Sequence, residues 1–159
     1  RYLDKGWDEA LAMVAHAQEQ ARALLLTDAL VKPVGDVRAL MTQLKERGLL
    51  VALATADTRQ PAEAALAKLG IAGLLDATIC GDDGVPLKPA PDMALALCRR
   101  LGVAPREAIM VGDTVSDLQM ARRAGLGLAV GVTSGANSAE LLAPFADCVI
   151  ADIHAIEVM

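Results

Sequence analysis

Residues 49–58 read Leu49-Leu50-Val51-Ala52-Leu53-Ala54-Thr55-Ala56-Asp57-Thr58, an apolar run that stops on small polar residues. A strand with one wet face alternates apolar and polar side chains, whereas a parallel strand covered on both faces does not. The run therefore predicts a buried parallel strand ending at Thr55. On its N-terminal side, Pro33 and Gly35 break any regular pattern and Asp36 stands as a helix N-cap. Val37, Leu40, Met41 and Leu44 then form an apolar helical stripe, with Lys45 and Arg47 in the last turn and Gly48 ending it. On its C-terminal side the pattern repeats. Helices are expected over 61–69, from Pro91 to 101, over 116–124 and over 138–145; strands are expected over 77–80, 108–111, 128–132 and 148–151. Five strands alternating with helices predict an α/β fold, a doubly wound parallel sheet of Rossmann-like type. Residues 7–26 stand apart: Trp7, Ala10, Leu11, Val14, Ala21, Leu24 and Leu25 make one helical face that no strand precedes.

Composition narrows the classes of function. The chain has 159 residues, 54% apolar and 22% charged, enough for one domain with a buried core. No apolar run reaches the ~18 residues of a spanning helix, so no membrane partner is expected. A net charge of −5 and only Tyr2, Trp7 and Phe145 as aromatics argue against a nucleic-acid partner. The three cysteines, Cys80, Cys98 and Cys148, form no CxxC pair and no even set, which suits a reducing, cytoplasmic compartment. All three are expected to be packed. Asp4, Asp8 and Glu9 stand where a secretory signal would be basic and then apolar. The first residue is Arg1 rather than Met, which reads as processing or as a piece of something longer.

In open parallel sheets, ligands bind beyond the carboxyl ends of the strands. The informative residues are thus Thr55-Ala56-Asp57-Thr58, Gly112-Asp113-Thr114-Val115-Ser116-Asp117, the segment 131–134, and Lys88 in Leu87-Lys88-Pro89-Ala90-Pro91-Asp92. Singly, each has a bland explanation: a strand-end Thr, a solvated lysine, a turn aspartate, a helix-start carboxylate. Asp82-Asp83-Gly84 reads as a loop turn, and Gly125-Leu126-Gly127 lies between a helix and a strand, the reverse of a dinucleotide fingerprint. His16 and His154 receive no role.

Taken in order, a strand ending in Thr55, a Lys88-Pro-x-Pro-Asp92 loop and Gly112-Asp-Thr-x-x-Asp117 resemble the haloacid dehalogenase-like superfamily. The resemblance is to phosphatases of the phosphoglycolate-phosphatase type with a helical cap, and it covers residues 33–153. It implies a magnesium-dependent phosphomonoester hydrolase acting on a small phosphorylated metabolite. Thr55 and the Ala56 N–H would donate to phosphoryl oxygens, and Lys88 would pair with them and with a carboxylate nucleophile. Asp113 would be the hard oxygen ligand of Mg²⁺, and Asp117 would hold the metal's waters or Lys88. Residues 1–30 would be the last part of the cap and 31–159 the core.

One part of the family pattern is missing. The first motif, a strand ending in Asp-x-Asp-Gly, carries the family's nucleophile and its general acid/base, and no such strand is found. The resemblance implies a truncated chain that does not hydrolyse phosphate esters alone. The missing strand would lie between those ending at Thr55 and Asp113, leaving an empty slot or forcing the two to close on each other. Pairing with the missing N-terminal segment or self-association would fill the slot. A sugar-phosphate mutase shares the three motifs, and a non-catalytic phosphate- or metal-binding remnant is the alternative of another class. A dehalogenase fits less well, because it needs no metal. In a receiver domain of two-component signalling the phosphoacceptor Asp precedes both Thr and Lys; Asp113 follows both.

Overall fold

The computed structural model describes residue 13 and residues 33–156. Apart from Met13, which is helical, the helix expected over 7–26, and with it the cap remnant assigned to 1–30, lies outside the described residues. From residue 33 onward the chain runs α1 (Val37–Glu46), β1 (Ala52–Ala54), α2 (Arg59–Lys68), β2 (Ala77–Ile79) and α3 (Asp92–Leu101). It continues as β3 (Ile109–Gly112), α4 (Val115–Ala124), β4 (Leu128–Val132), α5 (Ala139–Leu142) and β5 (Cys148–Ile150).

Local chemistry sets several of these limits. The Ala39 N–H donates to Asp36 Oδ1 at 2.9 Å, so Asp36 caps α1 as its position predicts. Gly102 and Gly125 close α3 and α4 at φ of 68°, a left-handed conformation that glycine adopts without a Cβ clash. The helix expected over 138–145 is only the single turn α5. Pro144 accounts for the difference, because it has no N–H to give to the helix ladder. Phe145 and Ala146 then both donate back to the Leu142 carbonyl in a tight turn.

Every strand pair is parallel, but the five strands make two sheets, β1-β2 and β3-β4-β5. Among the described residues nothing pairs β1 with β3; the two do not close on each other, and each keeps an open edge. Parts of these edges are wet: Ala52 is exposed and Ile109 is 61% exposed. Peptide groups open to solvent do not carry the ~1–3 kcal/mol that each would cost if buried unpaired. Leu49 and Leu50 are exposed too, so the apolar run 49–55 is not covered on both faces as its composition predicts.

Apolar side chains link the two sheets where the backbone does not. Ile79 of β2, Met93, Ala94 and Leu97 of α3, and Met120 and Ala124 of α4 form one buried cluster. Ala54 of β1 and Met110 of β3 pack against it from either side. Each fully buried Ile or Met there contributes about 1.5–3 kcal/mol. A second cluster of Leu118, Ala121, Ala129 and Leu142 seats α4 and α5 on β4. Cys80 and Cys98 are buried as expected, but Cys148 is exposed. It begins β5, which pairs on one side only, so the strand lacks the second neighbour that would cover it. Among the described residues no helix is long and apolar enough to cross a membrane.

Candidate active site

Lys88 reaches across the break between the sheets. Its Nζ donates to the carbonyl of Ala54, the last residue of β1, at 3.2 Å and to Asp117 Oδ1 in α4 at 2.7 Å. Both side chains are withdrawn from water, 17% exposed for Lys88 and 7% for Asp117. The other carboxylate oxygen is committed as well: Asp117 Oδ2 accepts from Thr114 Oγ1 at 2.6 Å and from the Thr114 N–H at 3.1 Å. A buried carboxylate needs such partners, since an uncompensated charge in this setting is strongly destabilising. Asp117 therefore holds Lys88 in place. The ammonium has three donors, and the third has no acceptor among the described residues.

Asp113 follows the last residue of β3. Its Oδ2 accepts from the Ala136 N–H at 2.8 Å, and its backbone carbonyl accepts from the Asn137 N–H at 3.1 Å. Asp113 Oδ1 accepts nothing from the described residues, which leaves one hard anionic oxygen at a strand end. No hydrogen bond joins the Asp113 carboxylate to Lys88 or Thr55.

Thr55 continues the β1 ladder by donating its N–H to the Ile79 carbonyl at 3.0 Å. Its hydroxyl is engaged with Asp57: Oγ1 donates to Asp57 Oδ2 and accepts from the Asp57 N–H, both at 3.1 Å. The Ala56 N–H is exposed and has no acceptor among the described residues. Thr55 and Lys88 thus meet at the Ala54–Thr55 peptide, with Asp117 behind the lysine. Asp113 stands on the neighbouring sheet, in the same loop as the Thr114 that holds Asp117.

A family model described as haloacid dehalogenase-like hydrolase matches residues 3–125. The chain belongs to the haloacid dehalogenase-like hydrolases. It is 37% identical over 117 residues to a phosphoglycolate phosphatase of Yersinia pseudotuberculosis serotype I (strain IP32953). That match covers 73% of this chain and 50% of the relative, so the chain spans about half the length of the curated relative it matches. A family IA, variant 3 haloacid dehalogenase-like hydrolase from Entamoeba histolytica HM-1:IMSS superposes with a TM-score of 0.80, covering 98% of this chain and 70% of that one. At 23% identity it shows the fold alone. A protein of Thermotoga maritima assigned as a beta-phosphoglucomutase is 26% identical, with a TM-score of 0.68 over 73% of this chain and 54% of its own.

Within this haloacid dehalogenase-like chain, the Asp82-Asp83 pair is used structurally. Asp82 Oδ1 accepts the Arg59 N–H at 2.8 Å and so caps α2, whose Thr58 makes no side-chain cap. Asp83 takes the Arg59 guanidinium on both oxygens, at 3.2 and 2.6 Å, and the Cys80 N–H at 3.0 Å. The Cys80 N–H first, and the guanidinium second, hold the Asp83 carboxyl below its ordinary range. Burial pushes the Cys80 thiol up. The loop-turn reading of 82–84 accordingly holds.

Sequence reasoning missed four contributors. Asp57 occupies the Thr55 hydroxyl, and a Thr-x-Asp turn pattern was the available signal. Thr114 caps α4 and holds Asp117, which the Thr-x-x-Asp spacing hinted at. Gly112 admits Asp117, and residues 135–137 engage Asp113. The Gly-Asp-Thr-x-x-Asp motif signalled Gly112, whereas residues 135–137 have no signal outside the tertiary structure.

Proposed function

We propose that this chain supplies the Thr55, Lys88 and Asp113 side of a Mg²⁺-dependent phosphomonoester hydrolase acting on a small phosphorylated metabolite. The carboxylate nucleophile would come from a segment outside the described residues, seated between the open edges of β1 and β3. The observation that carries this reading is Lys88. Its partly buried ammonium sits at the carboxyl end of β1, is fixed from behind by Asp117, and keeps one donor unspent among the described residues.

The donor set fits Mg²⁺ as a partial site. No three His, Cys, Asp or Glu side chains cluster among the described residues, but Mg²⁺ keeps several waters and takes one or two carboxylates beside substrate phosphate. Asp113, through its unpartnered Oδ1, would hold the ion, which when bound neutralises phosphoryl oxygens. The chain's own groups do the rest. Lys88 places a fixed positive charge where phosphoryl oxygens gather charge, and in a water-poor site that charge acts strongly. The Ala56 N–H and the Thr55 hydroxyl, once Thr55 turns from Asp57, donate to the same oxygens. Asp117 keeps the ammonium aimed.

The relative named a phosphoglycolate phosphatase and the family's name as hydrolases support hydrolysis. A sugar-phosphate mutase is the second reading, favoured by the likeness to the Thermotoga maritima protein. The test is an assay of residues 1–159 with Mg²⁺ and an aryl phosphate, beside a version carrying the upstream gene segment. Turnover in the longer protein alone, releasing inorganic phosphate, is the expected result. Transfer of the phosphoryl group to a second sugar hydroxyl would select the mutase. An inert longer protein would leave the non-catalytic remnant.

A further inference from the structure

The loop after β4 grips Asp113 from three directions. The Ala136 N–H takes Asp113 Oδ2 at 2.8 Å, and the Asn137 N–H takes the Asp113 carbonyl at 3.1 Å. Asn137 Oδ1 accepts the Val115 N–H at 3.0 Å, tying the loop to the first residue of α4. Gly135 lies against the carboxylate itself: a Cβ there would fall 2.0 Å from Asp113 Oδ2 and 2.5 Å from its carboxyl carbon. No left-handed φ requires a glycine at 135, so the demand at that position is purely steric.

We propose that residues 135–137 are the positioning element that decides which oxygen of Asp113 faces a divalent cation. The loop occupies Oδ2 with a backbone donor and leaves Oδ1 without a donor among the described residues. A carboxylate rotating freely about its last bond would present either oxygen in many directions; this one is held in a single orientation from a different strand. Gly135 supplies the room, Ala136 the hydrogen bond, and Asn137 the anchor to α4. Partners that orient a ligand in this way commonly govern metal affinity as strongly as they govern structure. The inference rests on the reading of Asp113 as a metal ligand.

The test is Mn²⁺ binding to the 159-residue chain, followed by the electron paramagnetic resonance of the free ion, with thermal unfolding measured alongside. Gly135→Ala should weaken Mn²⁺ binding by about tenfold or more, the range seen when an orienting partner is lost. Gly73→Ala is the control, because a Cβ at Gly73 meets nothing within 4 Å and its φ is not left-handed. It should leave the affinity unchanged. Asn137→Ala should also weaken binding, and Asn137→Asp, which keeps an acceptor for the Val115 N–H, should restore it. If Gly135→Ala does not fold, the Asn137 pair decides. Mn²⁺ affinity unchanged in Gly135→Ala, or a lowered unfolding temperature with unchanged affinity in Asn137→Ala, overturns the proposal. No Mn²⁺ binding by the unsubstituted chain overturns the reading of Asp113 beneath it.

Discussion

A Cβ placed on Gly112 would lie 2.4 Å from the Cβ of Asp117 and 2.7 Å from its carboxyl carbon. The end of β3 and the first turn of α4 can touch only because position 112 carries no side chain. Gly112→Ala is therefore expected to push Asp117 off Lys88 and Thr114 and to overpack the junction, costing about 1–3 kcal/mol. Urea unfolding of the variant measures this as a lower midpoint. An unchanged midpoint would show that the junction gives way without loss.

Lys88→Met removes the cation from a carboxylate that is 7% exposed. The Asp117 charge keeps Thr114 but loses its counter-ion, and the expected loss is about 3–5 kcal/mol at neutral pH. Lys88→Arg should recover only part of it, because a planar fork does not replace a point charge between a carbonyl and one carboxylate oxygen. In the longer protein of the phosphatase assay, Lys88→Met should also lower turnover by orders of magnitude. Near-normal hydrolysis would remove the role proposed for Lys88.

Acid should weaken the fold through identifiable carboxylates. The Ala129 N–H, and after it the Arg122 guanidinium, hold Asp147 below its ordinary range; the Cys80 N–H and Arg59 do the same for Asp83. A carboxyl with a depressed folded pKa contributes stability above its unfolded value of about 3.9, lost as pH falls through the folded value. Arg122→Gln should thus destabilise the chain at neutral pH and make less difference in acid, as pH falls through the folded value of Asp147 and its carboxyl is protonated. Unfolding of both variants at neutral pH and in acid checks this. An equal loss at each would mean that Arg122 acts through packing alone.

The cysteines separate by burial. Cys148 is exposed, whereas Cys80 and Cys98 are buried and burial pushes both thiols up. A thiol reagent such as Ellman's should label Cys148 in the native chain and reach the other two only after denaturation, because the thiolate is the reactive form. Rapid native labelling of Cys98 would mean that α3 does not pack as described.

Thr55, Asp113 and Asp117 stand at a strand end or a helix start and Lys88 in a proline-bearing loop, and those places are legible because apolar runs, prolines and capping residues are local signals. Thr55, Lys88, Asp113 and Asp117 could be named from order and spacing for that reason. The helix limits at Asp36, Gly102 and Gly125 were legible on the same ground, since an N-cap carboxylate and a left-handed glycine act within one turn of chain. Burial was not. The run 49–55 looks like a strand covered on both faces, yet Leu49 and Leu50 face water, because covering depends on what lies beside the sheet.

The sequence by itself determined the alternation of helices and strands, the parallel pairing that such alternation demands, and the residues that end each strand. The tertiary structure alone decided what those residues do. Lys88 finds its acceptors 34 residues upstream at Ala54 and 29 residues downstream at Asp117. Asp113 finds its donor 23 residues on, at Ala136. Only packing decided that Asp117 meets the lysine with one oxygen and Thr114 with the other, while Asp113 Oδ1 meets no donor among the described residues. Hydrogen bonds saturate, and which oxygen is left unspent depends on every donor that folding brings near it, at separations that no local pattern encodes.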